Sequence, residues 1–233
     1  MSDQPETDHE AAPEEFPARP AVPRTGPPWE MPGPAGHRFM ETAKAVLLAP
    51  TAMFQQMRRD GGVGTPLGFG VVGSTIGFAL GVIIQLAITL LTPAENPVTR
   101  PLIGVTVFMF LLLLPFILAI SLLFTAALYH LMLRILGAAR HPFETTLRVV
   151  CYVYGSTSLL QIFPVCGGFV GFIYSMFLMV IGLTHAQETT AGKAAVATLV
   201  PVLIMTLLAL VSLASLISHG GGLPGLPGIG QSV

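Results

Sequence analysis

The sequence predicts an all-α fold: a polytopic membrane helix bundle in which five transmembrane helices follow an amphipathic interfacial helix and a disordered amino-terminal tail. Three observations predict it. Hydrophobic residues make up 52% of the chain and charged residues only 10%, where soluble domains carry about 25% charged residues. Nine of the twelve acids and six of the eleven Lys/Arg lie in residues 1–60, so the rest of the chain cannot clothe a water-facing surface. Beyond residue 60 come five apolar runs, Phe69–Leu91, Leu102–Leu133, Leu147–Phe163, Phe169–Leu183 and Ala194–Ile217, and a membrane-crossing helix needs about 20 residues.

Residues 1–36 hold nine Pro and three Gly, with seven acids against Arg19 and Arg24. A stretch so polar and proline-rich has too little apolar surface to fold around and is expected to stay disordered. It lacks the basic and apolar regions of a signal peptide, so the first span is expected to act as the targeting signal.

Between residues 37 and 60 the apolar residues Phe39, Ala43, Val46, Leu47, Met53, Phe54 and Met57 recur at helical steps, with Arg38, Lys44, Arg58 and Arg59 between them. This is an amphipathic helix, interrupted near Pro50 because proline removes a hydrogen bond and clashes with the preceding turn. Its apolar face fits two placements, flat in the membrane interface or as a cap on the bundle.

Residues 61–218 form the five-helix membrane domain and 219–233 a flexible Gly/Pro-rich tail. The second run is 32 residues, about 48 Å of helix. No charge or turn divides it, so it reads as one tilted span with Pro115 as its point of bending. The third and fourth runs are short and joined by the uncharged turn Pro164-Val165-Cys166-Gly167-Gly168, which suits either two full crossings or a re-entrant hairpin. Cytoplasmic lysines and arginines orient a membrane protein. With the amino terminus inside and five spans, ten of the eleven cations are cytoplasmic and only Arg100 lies outside. The carboxyl terminus then lies outside. Cys151 and Cys166 fall at opposite ends of the third segment and are expected to be unpaired.

Two groups of polar or small residues stand out. Gly73, Gly77, Gly81 and Gln85 recur every four residues, which aligns them on one helical stripe; Gly167, Gly171 and Ser175 repeat the pattern. Small residues so placed admit a neighbouring helix closely, and Gln85 is expected to hydrogen-bond across the contact. The neighbour is either a helix of this chain or a second copy. His130, His141, Glu144, Arg148 and His185 fall at the cytoplasmic ends of segments and form an interfacial polar cluster. No pair among them has helical metal-ligand spacing, and no catalytic, cofactor or metal site is expected. Basic residues are too scattered for nucleic-acid binding, and a scan for nucleotide, hydrolase and zinc motifs finds none.

The residues Trp29-Glu30, Leu48-Ala49-Pro50, Phe54-Gln55-Gln56-Met57, His130-Leu131, Arg134-Ile135-Leu136-Gly137, Pro142-Phe143-Glu144-Thr145-Thr146, Tyr152-Val153-Tyr154-Gly155, Gly182-Leu183-Thr184-His185 and Lys193-Ala194-Ala195 together resemble the Yip (Ypt/Rab-interacting protein) domain family, in a bacterial-type version, over about residues 29–218. The resemblance implies five transmembrane helices with a cytoplasmic amino terminus; its eukaryotic members are implicated in vesicle traffic through Rab GTPases and in membrane shaping. Arg outnumbers Lys nine to two, which points to a bacterial cytoplasmic (inner) membrane, where that Rab system is generally absent. The function expected is a non-enzymatic, multi-pass protein that organises membrane or recruits partners. Its partners would be the lipid bilayer, a protein engaged through the amino-terminal tail, or a second copy of itself. The alternative is a small transporter or channel with a polar path along the third segment.

Overall fold

The computed structural model describes residues 24–91, 99–163 and 166–218. Every regular element among them is helical: α1 (Ala35–Leu48), α2 (Pro50–Gln56), α3 (Gly64–Leu91), α4 (Thr99–Ile135), α5 (Phe143–Thr157), α6 (Gly167–Ala186) and α7 (Ala191–Ser218), with 3-10 turns at Pro28–Glu30 and Ser158–Ile162. The tail 1–23, the turn residues Pro164 and Val165, and the tail 219–233 lie outside the described residues.

Four helices are long and apolar enough to cross a membrane: Gly64–Thr89, Gly104–Ile135, Gly167–Ala186 and Ala191–Ser215. The expected fifth, the third apolar run, is different in kind. It becomes α5, only 15 residues long, continued by the 3-10 turn Ser158–Ile162. Almost all of α5 is buried, and it packs against α1, α3, α4 and α6, so it is the axis of the bundle. Its Thr and Tyr residues are tolerated because they face protein, where their hydroxyls find partners, while Ser156 Oγ is buried without one. The outer helices carry the opposite pattern: Phe108, Phe116, Ile120, Phe124, Leu203 and Leu207 are exposed. Bare apolar surface of that extent suits a lipid solvent, with backbone polar groups satisfied inside the helices.

Steric closeness sets the packing of α3 on α5. A Cβ added to Gly70 would stand 3.0 Å from the Cys151 Cα, one on Gly73 2.8 Å from the Gly155 Cα, and one on Gly77 2.7 Å from the Ser158 Cβ. These pairs ascend together, so α3 and α5 run parallel. Against α6 the order reverses: Gln187, just past the end of α6, bonds Thr146 near the start of α5, while Gly167, at the start of α6, abuts Leu160 beyond the end of α5.

The amphipathic segment divides where expected, at Ala49, whose φ of −137° and ψ of 53° are not helical. Of its two placements, packing favours the cap. Phe39, Ala43, Val46, Met53, Phe54 and Met57 are buried in the core cluster, with α1 on α5 and α2 on α6. The apolar face is occupied by the bundle, so the segment is a cap. The Tyr174 hydroxyl of α6 donates to the Leu47 carbonyl near the break, satisfying a group that the missing helical turn leaves open.

A correction concerns residues 24–36. They form a strap packed on the bundle, and composition misled because one residue, Trp29, supplies the anchor. Its ring sits edge-on to Phe39 and Phe69, at centroid distances of 6.2 and 5.7 Å. Its indole N–H donates to the Thr65 carbonyl at 2.8 Å, its backbone N–H to the Thr42 hydroxyl at 2.8 Å, and Arg38 donates to the carbonyls of Trp29 and Met31.

Candidate functional site

The strap, the α2–α3 loop, the start of α5 and the end of α6 meet at one end of the bundle, and Arg148 is the residue that the first three share. It lies one turn into α5, where its neighbours are apolar and its side chain is only 1% exposed. A guanidinium so buried costs several kcal/mol unless its charge and donors are matched. Glu144, one turn earlier, accepts from Nε at 3.1 Å and Nη2 at 3.0 Å. Gly62 offers its carbonyl to Nη2 at 3.0 Å. Glu30 of the strap pairs with Nη1 and also accepts from the Tyr152 hydroxyl at 2.6 Å. The Gly62 N–H in turn donates to Glu144 at 2.8 Å. Gly62 has a φ of +94°, a conformation that lets one residue present its N–H and its carbonyl to the same ion pair and that a side chain would strain.

A second cluster lies nearer the surface around Glu188, which is bonded by Arg59 and lies 3.5 Å from both an Arg24 nitrogen and His141 Nε2. Arg59 holds the Glu188 carboxyl below its ordinary range. Glu188 follows the end of α6 in a left-handed conformation, φ 50°, a position usually taken by Gly or Asn. Gln187 links this cluster inward: its carbonyl oxygen accepts from the His141 N–H at 2.7 Å, and its amide donates to Thr146, whose hydroxyl is 3.0 Å from His130 Nδ1. Thr145 donates to the Arg59 carbonyl at 3.2 Å.

Of the five residues of the expected polar cluster, the structure joins Glu144 to Arg148 directly and His130 to His141 through Thr146 and Gln187. His185 is half-buried on the last turn of α6 and outside both networks. Among the described residues no three His, Cys, Asp or Glu side chains are grouped to hold a metal. The small-residue stripes lie as follows. Gly73, Gly77, Gly167 and Gly171 are buried and abut backbone of α5 or the turn that follows it, Gly171 with 3.3 Å from a notional Cβ to the Thr157 carbonyl; Gly81 is looser, with Gln161 Oε1 at 3.5 Å. Ser175 is buried and bonds back to the Phe172 carbonyl at 2.7 Å. Gln85 is exposed, because within this chain the stripe passes beyond the end of its partner after Gly81. The hydroxyls of Thr157 and Ser158 bond back to carbonyls of their own helix at 2.9 and 2.6 Å.

The sequence reading missed Glu30, Gly62 and Gln187 as members of this site. One signal was present for the first. Arg148 is a cation in an apolar run, which requires buried anionic partners, and Trp29-Glu30 is an aromatic and an acid set together in an otherwise collapsed-core-poor stretch.

A family model for the Yip1 domain matches residues 44–213. The chain belongs to the Yip1 domain family. No curated protein and no solved structure matches it. The Yip1 domain match covers the last turn of α1, all of α2 to α6 and most of α7, and it starts after the strap, so Glu30 and Trp29 reach the polar site of this Yip1 domain from outside the matched segment. With its four long apolar helices, the Yip1 domain is a multi-pass membrane protein.

Proposed function

We propose that this Yip1-domain chain is a non-enzymatic membrane scaffold whose amino-terminal tail recruits a partner protein at the cytoplasmic face. The observation that carries the reading is the anchorage of the strap: Glu30 is tied to the buried Arg148 and Tyr152, and Trp29 is seated among Phe39 and Phe69. Residues 1–23, with six acids against Arg19, are thereby delivered from a fixed point on the bundle. The acids of the polar site are engaged with cations or amides of the same chain, which suits structure better than proton transfer.

In this reading the chain crosses five times, with the amino terminus inside, the carboxyl terminus outside, in a bacterial cytoplasmic membrane. Supporting the fifth crossing, α5 and its 3-10 extension together make 20 residues, about 32 Å at the rises of the two helix types. That matches the ≈ 30 Å hydrocarbon core, and the pair runs alongside both α3 and α6. The cation count favours the same orientation.

The test is cross-linking in membranes of the full chain against a chain beginning at Arg24. A partner protein cross-linked to the first and lost from the second supports recruitment, and equal recovery from both overturns it. A second reading, a small transporter, is favoured by two cavities of about 230 Å³ that share Phe78, Tyr154 and Ser158. Solute flux in reconstituted vesicles would support it.

A further inference from the structure

The end of the bundle that carries Arg148 also carries an open cleft of about 720 Å³, lined by Arg24, Arg58, Arg59, Asp60 and His141. A second hollow of about 430 Å³ shares His141 and adds His130, Arg134 and Arg140. The two hollows adjoin at His141 and Pro142, with three arginines on the walls of the first and two on those of the second. The acids beside them are Asp60 and Glu188, and Glu188 is already divided among Arg24, Arg59 and His141.

The cations exceed what the chain neutralises. Among the described residues, the side chains of Arg58, Arg134 and Arg140 make no hydrogen bond or ion pair, and all three residues are exposed. Arg59 Nε, on a side chain that lines the cleft, is a buried atom without a hydrogen-bond partner. Arg24 and Arg59 are close enough that the charge of one, added to burial, lowers the pKa of the other. Folding does not gather like charges and strand buried donors without cost, because each unpaired buried donor loses its water. A bound anion would repay both.

We propose that this cleft binds a phosphate-bearing anion. Arginine forks match phosphate oxygens in pairs, and several of them around one concavity favour a ligand with more than one negative charge over a simple carboxylate. The cleft exceeds a single phosphate ion and suits a phosphate carrying an organic group. Arg134 stands on the last turn of α4, and Arg58 and Arg59 precede α3 by a few residues, which puts the cleft at the ends of apolar helices. The phosphate can therefore arrive from the headgroup of a lipid or from solution. The inference does not rest on partner recruitment by the tail.

The test uses the full chain, with two probes. The first is inorganic phosphate titrated into protein in neutral detergent, against chloride at equal ionic strength, read by calorimetry and melting temperature. The second is phosphatidic acid in phosphatidylcholine nanodiscs, read by retention of the lipid in native mass spectrometry. The Arg58 and Arg140 side chains make no internal bonds, so the variants R58Q, R140Q and the double variant should melt, without ligand, as the native chain does. The expected result is binding of at least one probe, about tenfold weaker in each single variant and undetectable in the double. Phosphate binding in detergent identifies a soluble anion as sufficient; retention of phosphatidic acid without phosphate binding identifies a headgroup. Binding of neither probe, or binding equal in native and variant chains, overturns the proposal. If the double variant melts early, the two single variants decide.

Discussion

Glu30 and Arg148 are 118 residues apart in sequence and form a buried ion pair, with side chains 7% and 1% exposed. The pair fastens a proline-rich strap to the central helix, and it makes the strap part of the fold rather than a leader to it.

Removing one member of such a pair strands the other. Glu30→Ala should destabilise the protein by about 3 kcal/mol, moderated by Glu144, which remains on Arg148. The double variant Glu30→Met with Arg148→Met should lose less than the sum of the single changes, because neither member of the pair is left buried alone and Glu144, partly exposed, keeps the Gly62 N–H. Chemical denaturation in detergent measures both; additive losses would show that the two residues act separately.

The glycine stripe should respond in graded fashion. Gly77→Ala places a methyl group against Ser158, and Gly73→Ala places one against Gly155; each should cost about 1–3 kcal/mol. Gly81→Ala meets only the end of Gln161 at 3.5 Å, and should be neutral or gain slightly from better helix propensity. Melting temperatures of the three variants check the order. Equal effects at all three positions would contradict the parallel packing of α3 on α5.

The cap should be part of the cooperative unit. Phe54 is fully buried with its ring against Gly182, so Phe54→Ala should cost about 3–5 kcal/mol. A helix lying free in the membrane interface would leave the melting temperature of the bundle unchanged by the same substitution.

The two cysteines report the crossing of α5. Both are free, Cys151 buried and Cys166 exposed. With five crossings and an inside amino terminus, a membrane-impermeant maleimide added to intact cells should label Cys166 and spare Cys151, and Cys166→Ser should abolish the label. Alkaline phosphatase fused after Val233 should be active. An unlabelled Cys166 together with an inactive fusion would require an even number of crossings.

The sequence by itself determined the helices and their punctuation. Apolar runs mark α3, α4, α6 and α7 because a span must be apolar along its whole length, and the break at Ala49–Pro50 follows from proline's own geometry. The four-residue repeat of Gly73, Gly77 and Gly81 is visible because helical periodicity belongs to one segment alone. What only the tertiary structure decided is who meets whom. The strap at Glu30 reads as unstructured because its partner Arg148 is far along the chain, and a buried charge states its need for a partner without naming it. Gln85 continues the stripe in sequence and misses the contact, since the stripe can be used only as far as the opposing segment reaches. The cap's apolar face would serve lipid or protein equally, and the closed surface of α5 and α6 against it made the choice, because burial depends on the neighbour and not on the face.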